Sequence, residues 1–220
     1  MKPIAHIKSD FDSKFGIPRQ SGLVNDLEAS IIFEPEYRVP EAFRGLEGFS
    51  HLWLIWDFSE AHREKWSPTV RPPRLGGNVR VGVFATRSPF RPNPIGLSCV
   101  EISRIDLRTP DGPVIVVRGA DLMNGTPIFD IKPYLPFADS HPEAKSGFAA
   151  QTSQQRSLEV VVDASVEKLF SSEKLESLKQ ILSQDPRPHY QEDDERVYGM
   201  EFGGKNVHFQ IRKGQLFLFL

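Results

Sequence analysis

The sequence has one cysteine, no long hydrophobic run and no large excess of charge of either sign. Cys99 alone excludes an internal disulfide and a cysteine-rich zinc site, and it fits a reducing compartment. No apolar run approaches the length that spans a bilayer, and the N-terminus lacks the apolar core of a signal peptide. We therefore predict a cytoplasmic protein with no membrane partner. The formal net charge of −2 argues against a general nucleic-acid coat.

Common catalytic motifs are missing as well. The sequence has no Walker A phosphate loop, no G-x-G-x-x-G, no H-E-x-x-H and no G-x-S-x-G, and its six histidines show no metal-ligand spacing. We therefore expect no metal ion and no doubly wound dinucleotide-binding sheet. With 220 residues, 39% of them hydrophobic, the chain is long enough to form a core without disulfide or metal cross-links.

Strand patterns dominate the first two thirds of the chain. Phe49–Phe58 is a long apolar and aromatic run that predicts a strand buried on both faces, and the alternation at Val79–Val83 predicts a half-buried strand. Leu97–Ile105 and Val114–Arg118 are also β-rich. Their connections are short and rich in Pro, Gly and Asn, which predicts a mainly β fold with an antiparallel sheet or barrel.

The composition changes in the last third. Ala138–Ser157 is small and polar and predicts a linker, Leu158–Val162 predicts a strand, and Ser165–Gln184 has an apolar stripe at helical spacing. Gly203-Gly204 and Lys213-Gly214 separate three alternating runs, which predicts two hairpins. We therefore predict a small α+β unit after the β-rich part. The two predicted domains are residues 1–140 and 155–220.

The densest functional pattern is Val81–Ser98, VGVFATRSPFRPNPIGLS. Pro89 fixes the backbone between Arg87 and Arg91, and Pro92 and Pro94 fix it after Arg91. Stiff loops that hold arginines are typical of sites for anionic or planar ligands. Lys65–Val100 contains six cations and no Asp or Glu, which predicts a basic face for a polyanion. The alternative is a solvated loop whose arginines pair with distant carboxylates.

Three other segments combine polar side chains with rigid backbone. The first is the turn Phe15–Gln20 and the second is Arg71–Asn78, RPPRLGGN. The third is Asp121–Leu135, in which Asp130, Lys132 and Tyr134 alternate with apolar residues, so a strand would place them on one face. Each segment also has a structural interpretation: a surface turn, an exposed connector, and the solvated face of an edge strand.

Together these segments resemble the TsaA-like (TrmO/YaeB) family of tRNA methyltransferases. The resemblance implies an N-terminal antiparallel β-barrel, a small α+β C-terminal domain and a homodimer. It also implies S-adenosylmethionine-dependent N6-methylation of N6-threonylcarbamoyladenosine at position 37 of tRNA. The matching motifs span nearly the whole chain: PRQ (Pro18–Gln20), RGLEGFSHLW (Arg44–Trp53), PTVRPPRLGGN (Pro68–Asn78), VGVFATRSPFRPNPIGLS (Val81–Ser98), the segment Asp121–Ala138, and DPRPHY (Asp185–Tyr190).

The resemblance also implies roles for individual residues. Asp130 is the first candidate for the proton acceptor, Tyr134 is the second, and Lys132 would fix a carboxylate. Ser59 and Asn124 depart from the family pattern, which often has a histidine and an acidic residue there. The implied donor-site residues are Pro18, Arg19, Gln20, Phe58, Ser59, Arg87, Leu122, Asp130, Ile131, Lys132 and Pro133, and the residues assigned to tRNA are Arg71, Arg74 and Arg91.

Two alternative functions stay open from the sequence. One is a non-catalytic RNA-binding module on the same barrel, and the other is a small-molecule methyltransferase. The intact DIKPYL and ATRS motifs favour an enzyme over a binding module. The acid-free Lys65–Val100 stretch and the C-terminal domain favour a nucleic-acid substrate over a small molecule.

Overall fold

The structure is a computed structural model that describes residues 1–72, 75, 78–152, 157–187 and 193–220. Arg74, one of the residues assigned to tRNA, lies outside the described residues, as does the end of the DPRPHY motif. The N-terminal strands are β1 (Ala5–Lys8), β2 (Glu28–Phe33), β3 (His51–Asp57), β4 (Thr69–Val70), β5 (Val81–Gly82), β6 (Ile95–Thr109), β7 (Gly112–Arg118) and β8 (Pro127–Pro133). Short 3-10 helices occur at Pro35–Tyr37, Pro40–Phe43, Leu46–Gly48, Val83–Ala85 and Gly147–Thr152.

Six of these strands form a closed antiparallel barrel in the order β1-β2-β7-β6-β3-β8, and β1 pairs with β8 to close it. Alternate side chains fill the interior, because successive residues of a strand point to opposite faces. Leu52, Leu54 and Trp56 of β3 are all buried there together with side chains of the other barrel strands. The predicted mainly β fold with an antiparallel barrel is confirmed.

Two strand predictions differ from the structure. β3 is buried on its inner face only, since Trp53 and Ile55 point outward and are partly exposed. The strand predicted at Val79–Val83 shortens to β5, which among the described residues pairs with the two-residue β4 alone and leads directly into a 3-10 helix. Proline at position 68 has no N–H to donate, and its carbonyl accepts the Val83 N–H at 2.9 Å, so the ribbon ends there.

The C-terminal part forms a separate sheet in the order β10-β11-β12-β9, with β12 and β9 parallel. The helix predicted at Ser165–Gln184 is two helices, because Asp163 caps the first and the Ser171 hydroxyl caps the second. Both predicted glycine-containing hairpins are confirmed. No helix in the described ranges is long and apolar enough to cross a membrane. The elements are α1 (Pro136–Asp139), β9 (Glu159–Val162), α2 (Ala164–Glu167), α3 (Ser172–Ser183), β10 (Val197–Phe202), β11 (Lys205–Arg212) and β12 (Gln215–Phe219).

The segment between β1 and β2 links the barrel to this second sheet. Phe11, Val24 and Leu27 are buried in the C-terminal hydrophobic core, although they lie early in the chain. Asp10 forms an ion pair with Lys174 of α3 at 2.8 Å. The turn that carries the PRQ motif is therefore held from both sides. The division into domains 1–140 and 155–220 stays a prediction, since this segment packs into the second core.

Candidate functional site

A cavity of about 420 Å³ opens at the barrel end where β3 finishes and β6 begins. Its volume lies in the range of roughly 300–1,000 Å³ that is typical of small-molecule sites. Three loops surround it, and most of its lining comes from residues 17–20, 56–61 and parts of 87–97. Lys14, Asp121, Met123 and Thr126 complete the lining. All three loops contain residues that were predicted from the sequence to belong to the donor site.

An aromatic pair forms the apolar part of this cavity. The ring centroids of Trp56 and Phe58 lie 4.2 Å apart with the planes inclined at 57°. The Phe58 N–H donates to the carbonyl of Pro94 at 2.9 Å, which ties the end of β3 to the proline-rich loop. The cavity therefore has a rigid aromatic wall suited to a planar heterocycle.

Gly96 allows Trp56 to occupy this wall. A Cβ at position 96 would lie 2.1 Å from Cε2 of the Trp56 ring, closer than any real contact. We expect Gly96→Ala to displace the indole, to lower the free energy of unfolding by about 1–3 kcal/mol and to weaken ligand binding at the cavity. Urea unfolding and calorimetric titration measure the two effects. Gly48→Ala is the matched control, because nothing lies within 4 Å of its Cβ position; an equal loss in both variants would contradict this explanation.

Asp121 supplies a partly buried carboxyl in the cavity wall. The Trp56 indole N–H donates to the Ser98 hydroxyl at 3.0 Å, and that hydroxyl donates to Asp121 Oδ1 at 2.5 Å. Burial raises the pKa of the Asp121 carboxyl, against the opposing effects of the Ser98 hydrogen bond, backbone N–H groups and the Arg87 charge. A perturbed carboxyl in a ligand-sized cavity is typical of a functional site. Sequence reasoning missed it, although an acid in the apolar run before Asn124-Gly125 was a usable signal.

The cavity arginines differ in what they contact. Arg87 donates through Nη1 to the Gln20 side-chain oxygen, so two predicted donor-site residues are in direct contact. Arg91 donates to the carbonyl of Thr86 at 3.0 Å, and Arg19 donates to the carbonyl of Asp185 at 3.0 Å. Arg91 therefore stabilises the proline-rich loop to which it belongs, while Arg19 connects the PRQ turn to the C-terminal part of the chain.

The structure brings together about half of the predicted site. Leu122 is fully buried in the barrel core, and its carbonyl accepts a hydrogen bond from Ser9. Arg71 is exposed just after β4. Among the described residues, no group of three or more His, Cys, Asp or Glu side chains is arranged to hold a metal ion. The predicted residues that line the cavity are Pro18, Arg19, Gln20, Phe58, Ser59, Arg87 and Arg91.

The remaining predicted residues, from Asp130 to Tyr134, lie along β8 or just after it and do not line the cavity. Asp130 Oδ2 lies 3.0 Å from Lys132 Nζ, and Asp130 Oδ1 accepts the Ile131 N–H at 3.0 Å. The predicted common face of Asp130 and Lys132 is therefore present. Tyr134 lies just beyond the strand, with its ring 5.8 Å from that of Trp53. Pro133 ends the strand, where it pairs with Leu52.

An apolar outer face, formed by Trp53, Ile55, Ile95 and Leu97, connects the β8 residues to the cavity. In the sheet register Ile55 pairs with Asp130 on one side and with Leu97 on the other. Leu97 is 54% exposed and also lines the cavity. The outer face therefore runs from the cavity opening across β3 to the Asp130–Lys132 pair.

Family models match almost the entire chain. The model described as the tRNA-methyltransferase O N-terminal domain matches residues 6–140, and the TrmO C-terminal domain matches residues 150–219. Escherichia coli K12 tRNA (adenine(37)-N6)-methyltransferase is 43% identical over 216 residues, covering 94% of this chain and 91% of that protein. A putative S-adenosylmethionine-dependent methyltransferase, RcsF, of Pseudomonas aeruginosa is 37% identical over 222 residues, covering 98% and 94%.

A solved structure has the same fold over the full length. The crystal structure of TrmO from Pseudomonas aeruginosa superimposes with a TM-score of 0.77 at 31% sequence identity. The match covers 99% of this chain and 94% of that one. The barrel and the C-terminal sheet therefore both have counterparts in that protein.

Proposed function

The chain belongs to the tRNA-methyltransferase O family, and on that basis we propose that it methylates N6 of N6-threonylcarbamoyladenosine at position 37 of tRNA, with S-adenosylmethionine as the methyl donor. The observation that carries this proposal is the barrel-end cavity, where an aromatic pair, Arg87 and Asp121 meet in one small-molecule-sized space. The names of two relatives give adenine 37 of tRNA as the methylated base and S-adenosylmethionine as the donor. The threonylcarbamoyl group of the substrate is part of our proposal and comes from the family resemblance of the sequence motifs.

The cavity residues fit the donor's chemistry. S-adenosylmethionine supplies a methyl group made electrophilic by a sulfonium cation. The guanidinium of Arg87 suits the carboxylate of its amino acid part, and the Asp121 carboxylate suits its positive charges. Trp56 and Phe58 provide the aromatic surface for the adenine. Ser98 and Gln20 hold these two charged side chains in place through the hydrogen bonds described above.

The substrate presents a ureido nitrogen that must lose its proton. Asp130 is the proposed acceptor and Tyr134 the second candidate, with Lys132 placed to attract the carboxylate of the threonyl group. The methyl group passes directly from the donor to this nitrogen, without a covalent enzyme intermediate. Much of the rate acceleration therefore comes from holding the nitrogen in line with the methyl group. The phosphates of the anticodon loop are proposed to bind three arginines of the acid-free Lys65–Val100 stretch: Arg71, Arg74 and Arg91.

The proposed active form is a homodimer joined across the apolar outer face. The β3 run has the composition of a strand buried on both faces, yet in the single chain Trp53 and Ile55 stay partly exposed. A second copy packed on this face covers them, and a two-fold contact repeats the same patch on both copies. The Asp130–Lys132 pair of one copy then faces the Leu97-lined cavity of the other. This arrangement explains why the motif lies outside its own cavity.

Such an enzyme acts where mature tRNA is found, so we place it in the cytoplasm. The test is mass spectrometry of tRNA nucleosides from cells with and without the gene. We expect the N6-methylated threonylcarbamoyl nucleoside to disappear when the gene is deleted and to return with the wild-type gene, but not with Arg87→Ala. An unchanged nucleoside profile in the deletion strain would rule out this function.

A further inference from the structure

Two large aromatic side chains stand exposed beside the proline-rich loop. Trp66 is 52% exposed and Phe84 is 74% exposed, and their ring centroids lie 6.2 Å apart with the planes inclined at 31°. Soluble proteins seldom leave paired rings of this size in water without a ligand or partner to cover them. The donor cavity does not include either residue.

The backbone around this pair is firmly held. Arg80 donates to the Thr69 hydroxyl at 2.8 Å across the β4–β5 ribbon. The Val83 N–H donates to the Pro68 carbonyl at 2.9 Å, which ties the residue before Phe84 to a residue close to Trp66. A rigid aromatic pair loses little conformational entropy when a planar group stacks on it.

The pair is also directly connected to the cavity loop. The Thr86 N–H donates to the Val83 carbonyl at 3.1 Å, and Arg91 donates to the Thr86 carbonyl at 3.0 Å. Phe84 is three residues before Arg87, so at about 3.3–3.6 Å per residue their Cα atoms lie within roughly 11 Å. The two rings are therefore attached, through a short hydrogen-bonded segment, to the loop that carries Arg87 and Arg91.

A cation stacks on another ring of the same proline-rich segment. The guanidinium carbon of Arg63 lies 3.8 Å from the centroid of Phe90, which itself lines the cavity. Stacked aromatic and guanidinium planes are the groups on which proteins place unpaired bases. The surrounding Lys65–Val100 stretch has six cations and no acid, so its charge is complementary to a phosphate backbone.

We infer that Trp66 and Phe84 form a stacking platform for an unpaired base of the tRNA anticodon loop, next to the base that is methylated. This inference rests on the proposed function and adds a recognition surface to it. The platform contributes to the binding of RNA and not to that of the methyl donor, because it lies outside the cavity. Its contacts tolerate any base, since every base offers a flat face.

The test compares steady-state kinetics and binding of Trp66→Ala and Phe84→Ala with those of the wild type. Stacking on one ring contributes enough affinity that each variant should show a KM or Kd for tRNA raised about 5- to 100-fold. The Kd for S-adenosylmethionine should stay unchanged, and Trp66→Phe should restore most of the tRNA affinity. Phe219→Ala is the matched control, because Phe219 stacks on His208 in the C-terminal sheet.

Salt dependence separates stacking from charge. Trp66→Ala should weaken binding equally at all salt concentrations, whereas Arg71→Ala should lower the slope of log K against log salt by about one. Suppose the wild type methylates tRNA while Trp66→Ala and Phe84→Ala both keep the wild-type KM for tRNA. The inferred stacking platform is then wrong, whereas the proposed methyltransferase function stands. If wild type transfers no methyl group, the proposed function itself fails. A shift of either variant to monomer in sedimentation would assign the rings to chain association and overturn the inference.

Discussion

Asp121→Asn is expected to lower kcat/KM for S-adenosylmethionine by about 10- to 100-fold, because the amide no longer balances the donor's positive charges and a hydrogen bond to a charged group contributes about 1.5–3 kcal/mol. Three carboxylates line the cavity, those of Asp57, Glu60 and Asp121, and Asp121 is the one that is hydrogen-bonded through Ser98 to the Trp56 indole. Asparagine keeps the shape and can still accept the Ser98 hydroxyl. Single-turnover methyl transfer on tRNA that carries threonylcarbamoyladenosine measures the effect. Activity within threefold of wild type would contradict the assigned role.

The stability of the same variant provides the control for folding. Burial raises the Asp121 pKa above its ordinary value of 3.8, so the folded chain binds this proton more tightly than the unfolded chain. The cost of burying the carboxylate is therefore fully present above the raised pKa and disappears as pH falls below 3.8. We expect Asp121→Asn to be at least as stable as wild type at neutral pH, with any gain shrinking in acid. Urea unfolding at several pH values measures this.

Asp130→Ala is expected to be nearly inactive alone and to regain activity when mixed with Asp121→Ala. In the proposed homodimer each site takes Asp121 from one copy and Asp130 from the other. A mixed dimer then has one intact site and one site that lacks both carboxylates. Random exchange makes half of the dimers mixed, so roughly a quarter of wild-type activity should return.

The control for this mixing experiment is a double variant. Asp121→Ala/Asp130→Ala mixed with wild type gives mixed dimers in which each site lacks one carboxylate, so they should be inactive. If Asp121→Ala and Asp130→Ala mixtures stay inactive after subunit exchange has been shown, for example by differently tagged copies, each site belongs to one chain. The Asp130–Lys132 pair would then act outside the donor site.

Much of the fold was predictable because the decisive signals are local. β-rich composition identifies β6 and β7, alternating apolar residues identify the three C-terminal strands, and Gly203-Gly204 and Lys213-Gly214 locate the turns of those three. The break between α2 and α3 was missed because Leu169 and Phe170 continue the helical stripe across it, while the Ser171 cap depends on a single hydroxyl.

The candidate site was only half predictable for a different reason. Motifs in the chain identify which residues matter, but not which of them meet. Arg87 and Gln20 are 67 positions apart and are in contact, whereas Asp130 and Asp121 belong to one motif and lie on different surfaces. Asp121 gains its perturbed pKa only from the burial that barrel closure produces. Such properties arise from tertiary packing and have no pattern along the chain.

The central claim is tested most directly by methyl transfer in a purified system. The wild-type chain is incubated with methyl-labelled S-adenosylmethionine and with tRNA that carries or lacks the threonylcarbamoyl group, and the digested nucleosides are identified by mass spectrometry. The account predicts label in N6-methyl-N6-threonylcarbamoyladenosine, only with the threonylcarbamoyl-containing tRNA. Label in another nucleoside, or no label with correctly modified tRNA, would contradict it.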